Sequence, residues 1–340
     1  MNEWLTAQVS EPAVLVTVAI VEGSGPREPG ARMLVSARGQ HDTIGGGHLE
    51  MCAIELARDM LATPAASAWL ERYALGPTLG QCCGGVVHLA FELVDASLAA
   101  VLETLRARRR EDSWRLSAID GPPAALLLDA SGAIVAGTVV DAPHLDRQRG
   151  THILRDADGH RWLADPCLAP RAHLLLFGAG HVGTAIVRML GELPCTVTWV
   201  DEREDMFPAS LPPNVIVEAT DTPEAAVAQA PAGASYLVMT HSHALDQRLS
   251  EAILAREDVG WFGLIGSNTK RVQFERRLAA RGLPQDRIDN MVCPIGLPGI
   301  TSKLPAAIAA SVCAQLLMVW ERQQIAALDA TKPVRLVAGA

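Results

Sequence analysis

The pattern of apolar and polar positions changes character near the middle of the chain. Beyond residue 171, short apolar runs at 173–177, 196–200, 214–217, 236–239 and 261–265 read as buried strands. Stretches with helical spacing follow several of them, at 182–190, 245–256 and 270–281. Strands that alternate with helices predict a doubly wound parallel sheet. A final helix is expected over about 305–324, buried although it contains Ser311 and Gln315. The first half is less regular. Residues 14–21, 32–35, 86–94, 124–128, 133–139 and 160–163 read as strands, and 49–61 and 98–109 as helices. That mixture predicts an α+β domain without fixing its topology. The halves meet at 165–171, where Pro166 and Pro170 are expected to interrupt regular structure, since proline fixes φ and removes a donor.

Composition narrows the class. The chain has 340 residues, 49% apolar and 20% charged, with a net charge of −9. At ~150 residues per domain that length suggests about two domains. Disordered, collagen-like and small disulfide-stapled chains are excluded. The dense basic run at 106–110 is answered by Glu111 and Asp112, so no nucleic-acid partner is expected. The start lacks the basic and apolar regions of a signal peptide. No apolar run approaches the ~20 residues of a membrane span, so a cytoplasmic protein with no membrane contact is expected. Seven cysteines occur, an odd number without a CxxC pair, which suggests neither disulfides nor a zinc ribbon. Five look like background. Cys82 and Cys83 are adjacent, inside Gly80, Gln81, Cys82, Cys83, Gly84 and Gly85. A thiolate is a soft ligand and a nucleophile, and the flanking glycines leave the backbone open.

Residues 178–183 match G-x-G-x-x-G between a predicted strand and a predicted helix, and Asp201 ends the next strand. Gly178 suits a tight turn, Gly180 the approach of a diphosphate, and Gly183 close helix–strand packing. His181 lies at the helix start, where backbone N–H groups favour anions. Asp201 stands where an acid meets a ribose hydroxyl. The organisation expected is an N-terminal mixed α+β domain over 1–168, a C-terminal Rossmann-like domain over 169–330 and a tail over 331–340. Loops at 240–246, 266–271 and 293–303 are expected at the carboxyl ends of the same sheet. They bring His241, His243, Asp246 and Lys303 towards the glycine loop. His241, His243 and Asp246 suit a metal ion, although a polar loop facing a ligand is the preferred reading. In the first half, Gly45, Gly46 and Gly47 open a helix and expose backbone donors. Arg27 and Arg32 add guanidinium groups for a phosphate.

Taken together, the segments 23–33, 43–50, 79–85, 177–183, 240–243 and 293–297 resemble the XdhC/CoxI family of xanthine dehydrogenase accessory proteins. The resemblance covers about residues 16–317. It implies a molybdenum-cofactor chaperone that carries the molybdopterin cofactor as cargo and supports exchange of an oxo for a sulfido ligand. It also implies delivery to an apo-xanthine dehydrogenase or related molybdenum hydroxylase, a cysteine desulfurase as partner, and a homo-oligomer. An accessory protein is implied, not an enzyme with its own turnover. Cys82 or Cys83 is then the expected contact for molybdenum, through the cofactor. Two departures stand out: Ala306 and Ala307 replace acidic residues of the family pattern, and Gly25 replaces a threonine. A second reading is an NAD(P)-dependent oxidoreductase holding a dinucleotide at 178–183 and Asp201. No Tyr/Lys catalytic pair supports it; the only tyrosines are Tyr73 and Tyr236. A third reading is a cofactor-free scaffold.

Overall fold

The computed structural model describes residues 3–7, 11–63, 67–76, 84–120, 122–138 and 143–331. The chain divides into two compact units, Met1–Ala169 and Pro170–Ala340.

The N-terminal unit contains α1 (Glu3–Thr6), β1 (Ala13–Glu22), β2 (Arg32–Ser36), β3 (Gln40–Asp42), α2 (Gly47–Ala62), β4 (Ala68–Ala74) and β5 (Val86–Leu93). It continues with α3 (Ala96–Ala107), β6 (Ser113–Ala118), β7 (Ala125–Asp129), β8 (Ile134–Gly137), β9 (His152–Arg155) and β10 (Arg161–Cys167). Two antiparallel sheets result, ordered β3-β2-β1-β5-β4 and β8-β7-β6-β10-β9. The first seven residues of β1 are all buried, because both faces of the strand are covered. Val14, Val16 and Val18 pack in a cluster with Leu49, Ala53, Ala57 and Met60 of α2. Leu15 packs in another, with α3 and with Leu127 of the second sheet.

A charged group is buried with these clusters. Arg115 donates to both oxygens of Glu92, at 2.6 and 2.8 Å, and to Asp165 at 2.9 Å. Arg32 donates to the two oxygens of the same Asp165 at 2.8 and 2.6 Å. Burial alone would raise the Asp165 carboxyl; Arg32 and Arg115 override it and hold it below its usual range. Arg32 is therefore bound inside the unit and does not offer a free guanidinium, which corrects its expected place in a phosphate site. The expected interruption at 165–171 is also corrected at its start. Strand β10 runs through Asp165 and Pro166 to Cys167. Pro166 is tolerated because β9 pairs no further than Ala164, so the ladder is one-sided there.

The C-terminal unit alternates as its sequence predicts. It contains β11 (Ala172–Phe177), α4 (His181–Leu190), β12 (Cys195–Asp201), β13 (Val215–Ala219), α5 (Pro223–Gln229) and β14 (Ser235–Val238). Then come α6 (His243–Ala255), β15 (Trp261–Leu264), α7 (Asn268–Ala280), α8 (Gln285–Asp289), β16 (Met291–Val292) and α9 (Pro305–Thr331). All six strands are parallel, in the order β13-β12-β11-β14-β15-β16. This is the 3-2-1-4-5-6 order of dinucleotide-binding sheets, with its switch point between β11 and β14. The sheet carries an apolar cluster on each face. Helix α9 packs with α4 in one of them, through Ala309, Val312, Leu316 and Trp320. Its two polar residues have a purpose: Ser311 Oγ accepts from Leu297 N at 2.7 Å and Gln315 Oε1 from Gly296 N at 2.8 Å. Among the described residues, no helix is long and apolar enough to cross a membrane.

Candidate functional site

In the C-terminal unit, the glycine-rich turn lies at the switch point. Gly178 has φ +117°, and a Cβ there would stand 2.5 Å from the Met239 carbonyl oxygen. A Cβ on Gly183 would stand 2.2 Å from Gly178 O. Neither position accepts a side chain. Around Gly180 the opposite holds, since no atom lies within 4 Å of where its Cβ would be. Gly180 caps α4 without any side-chain hydrogen bond, and His181 beside it is exposed. Open space at an uncapped helix N-terminus is the geometry that admits a phosphate.

Asp201 is differently placed from the expectation. Its Oδ2 accepts from Ala179 N at 2.6 Å and from Arg203 Nη2 at 2.9 Å. Its Oδ1 accepts from Arg203 N at 3.0 Å and Arg203 Nε at 2.9 Å. Burial opposes the charge, but these donors outweigh it and lower the carboxyl to about 2. A carboxylate has about four acceptor positions. All are filled, so Asp201 holds the glycine turn, and a ribose hydroxyl would have to displace Arg203.

The loops after β14, β15 and β16 are cross-linked. The fully buried Asp246 accepts from Thr240 Oγ1 at 2.7 Å and from Lys270 Nζ at 2.6 Å. Lys270 also donates to Ile265 O, and Arg271 to Cys293 O. With Lys270 on its carboxylate, Asp246 is no partner to His241 and His243 in a metal site. His241 is half-exposed, 3.4 Å from Glu202, and His243 starts α6 in solvent. Lys303 is exposed on the approach to α9. Tyr236 is wholly buried in β14 and offers no catalytic hydroxyl. Among the described residues, one trio of ligating side chains is close enough to share an ion: Asp156, Asp158 and His160. There Asp156 already accepts from two backbone N–H groups and from Trp162 Nε1.

In the N-terminal unit, three motif segments come together. Gly85 N donates to Ser24 O at 3.2 Å, and a Cβ on Gly85 would stand 2.4 Å from that oxygen. A Cβ on Gly45 would stand 2.6 Å from Pro26 Cβ and 3.2 Å from Arg27 Cγ. The 23–27 loop is thus flanked by the three-glycine turn and by the segment emerging from the adjacent cysteines. Cys82 and Cys83 themselves lie outside the described residues. Gly45, Gly46 and Gly47 all have positive φ, a region that strongly favours glycine. Their donors do not stand open as expected for an anion site. Glu50 accepts from Ile44 N at 3.0 Å, Gly46 N at 3.1 Å and Thr43 Oγ1, while Gly45 N donates to Thr43 Oγ1. Arg27 pairs with the exposed Glu28 at 3.1 Å and remains partly exposed.

Sequence reasoning missed Glu50, Arg203 and Lys270 as the residues that hold these loops. An acid in the first turn after a glycine run was the available signal for Glu50. Of the described cysteines, Cys167, Cys195, Cys293 and Cys313 are thiols whose pKa burial raises, which suits a background role.

Two family models match the chain. One is the XdhC and CoxI family, over residues 7–74, and the other the XdhC Rossmann domain, over residues 174–316. The chain belongs to the XdhC and CoxI family. Both glycine loops fall inside these matches. A family relative in Bacillus subtilis (strain 168), whose name makes it a probable xanthine dehydrogenase subunit, is 26% identical over 92% of this chain and 94% of its own length. The uncharacterized protein YqeB of Escherichia coli (strain K12) is 29% identical over 44% of this chain, which is only 27% of YqeB. A crystal structure named as a xanthine dehydrogenase from Bacillus halodurans matches 97% of this chain and 96% of its own, with a TM-score of 0.74. At 21% identity it supports the fold.

Proposed function

We propose that this protein is an accessory factor of a xanthine dehydrogenase or related molybdenum hydroxylase. It binds the molybdopterin cofactor as cargo, supports replacement of an oxo by a sulfido ligand on the cargo's molybdenum, and passes the cargo to the apoenzyme. The sulfur comes from a partner cysteine desulfurase. The observation that carries this reading is the convergence, within the N-terminal unit, of the 23–27 loop, the 45–47 turn and the segment that leaves Cys82 and Cys83. Molybdopterin presents a pterin, a dithiolene and a phosphate. Backbone groups with Arg27 suit its polar parts, and a thiolate from Cys82 or Cys83 is a soft partner for its metal. The name of the Bacillus subtilis relative supports the choice of client.

In the C-terminal unit, the proposed role of the 178–183 turn is to take a nucleotide phosphate at Gly180 and His181. The filled acceptors of Asp201 weigh against the oxidoreductase reading, which needs that acid for a ribose. The test is to purify the full chain from cells making molybdenum cofactor, denature and oxidise it, and measure pterin fluorescence and molybdenum together. Both are expected in stoichiometric proportion. Protein that carries neither, but changes NAD(P)H fluorescence on titration, would reverse the reading in favour of the oxidoreductase.

A further inference from the structure

The glycine turn of the N-terminal unit does not hold its shape by itself. Three successive residues with positive φ form no repeating ladder that could fix them. One oxygen of Glu50, Oε2, gathers the donors that define the turn: Thr43 Oγ1, Ile44 N and Gly46 N. The other, Oε1, accepts from Gln40 Nε2 at 3.1 Å. The turn sets Gly45 against Pro26 and Arg27, with no room even for a methyl group between them. The same loop continues to Ser24, whose carbonyl accepts from Gly85 N. A continuous line of contacts therefore runs from Glu50 to the segment that leaves the two adjacent cysteines.

We propose that Glu50 is the positioning residue of this cluster, setting through the glycine turn the place of Arg27 and of the segment after Cys82 and Cys83. The inference rests on the reading of the cluster as the cargo site. Its role is geometric. All three turn donors use a single oxygen, so an amide oxygen at this position accepts the same three, whereas a methyl group accepts none. Glu50→Gln therefore preserves the arrangement and Glu50→Ala releases it.

The test uses the full chain and three readouts: amide hydrogen exchange, alkylation of Cys82 and Cys83 by iodoacetamide, and retention of molybdopterin. In Glu50→Ala, the Ile44 and Gly46 amides are expected to exchange about tenfold faster, the scale of a lost hydrogen bond to a charged group. The Gly85 amide accelerates with them, the two cysteines change alkylation rate, and pterin retention falls. Amides in the middle of β1 keep their protection, which shows that the unit is folded. Glu50→Gln restores all of these. Thr43→Val, which removes one donor, gives the same changes to a smaller degree and serves if Glu50→Ala does not fold. The proposal is overturned if Gly85 and the cysteines do not respond when Ile44 and Gly46 do. It is also overturned if Glu50→Gln keeps the turn protected but loses the cargo, because the charge would then be what matters. Wild-type protein that retains no pterin would refute the cargo reading, while exchange and alkylation would still decide the role of Glu50.

Discussion

Each unit of this protein carries a glycine-rich loop that leads into a helix, and each uses a carboxylate to hold it, but the outcomes differ. In the N-terminal unit, Glu50 satisfies the turn's own donors, Ile44 N and Gly46 N, and the turn becomes a rigid shelf for Pro26 and Arg27. In the C-terminal unit, Asp201 takes only Ala179 N from the glycine turn and leaves space open around Gly180. The same sequence feature, glycines before a helix, thus yields a closed turn in one unit and an open helix terminus in the other. What decides is where the acid reaches. Glycine patterns alone do not identify an anion site; the partners of each N–H do.

The comparison breaks most severely if the support beneath the N-terminal loops is removed. Asp165→Ala leaves Arg32 and Arg115 buried without their shared partner, and such losses cost about 3–5 kcal/mol. Chemical denaturation should show the N-terminal unit unfolding at much lower denaturant, with the C-terminal unit retained. Next in size is Gly178→Ala, which combines a positive φ with a Cβ pressed on Met239 O, for about 1–3 kcal/mol lost from the C-terminal unit. Gly180→Ala sharpens the contrast. It meets no atom, so stability should stay within about 0.5 kcal/mol, while phosphate-dependent nucleotide binding measured by calorimetry falls.

Acid acts on both units in the same direction. The carboxyls of Asp165 and Asp201 are held below their unfolded value of about 3.9. Their stabilisation is fully present above that value and disappears as pH falls through the folded value, which for Asp201 is about 2. Circular dichroism from pH 6 downward should therefore show no loss until about pH 4 and a progressive loss below it. The smallest effect is expected from Arg203→Ala. It frees two donors' worth of acceptor on Asp201 near the surface, should shift stability little, and opens that acid to a ribose hydroxyl.

The C-terminal fold was largely legible because its strands are buried on both faces and read as unbroken apolar runs. Its short pieces were not: α5, α8 and the two-residue β16 carry too few positions for a period to show. In the N-terminal unit, β6 was hidden by its own interior. Ser113, Arg115 and Ser117 are buried polar residues, so a core strand looks solvent-facing. Strand β4 lies at a sheet edge and contains Glu71 and Arg72, which masks its pairing with β5. The glycine loops were visible in sequence, whereas their occupants were not. Arg32 looks like a phosphate donor until Asp165, far along the chain, is found beside it.

The central claim is that cargo retention belongs to the N-terminal cluster and not to the open turn of the C-terminal unit. The direct measurement is pterin and molybdenum content of the Cys82→Ala/Cys83→Ala variant beside that of Gly180→Ala, both purified from cells making the cofactor. The account predicts that the double cysteine variant loses both and that Gly180→Ala keeps them. Loss confined to Gly180→Ala, with the cysteine variant fully loaded, would contradict it.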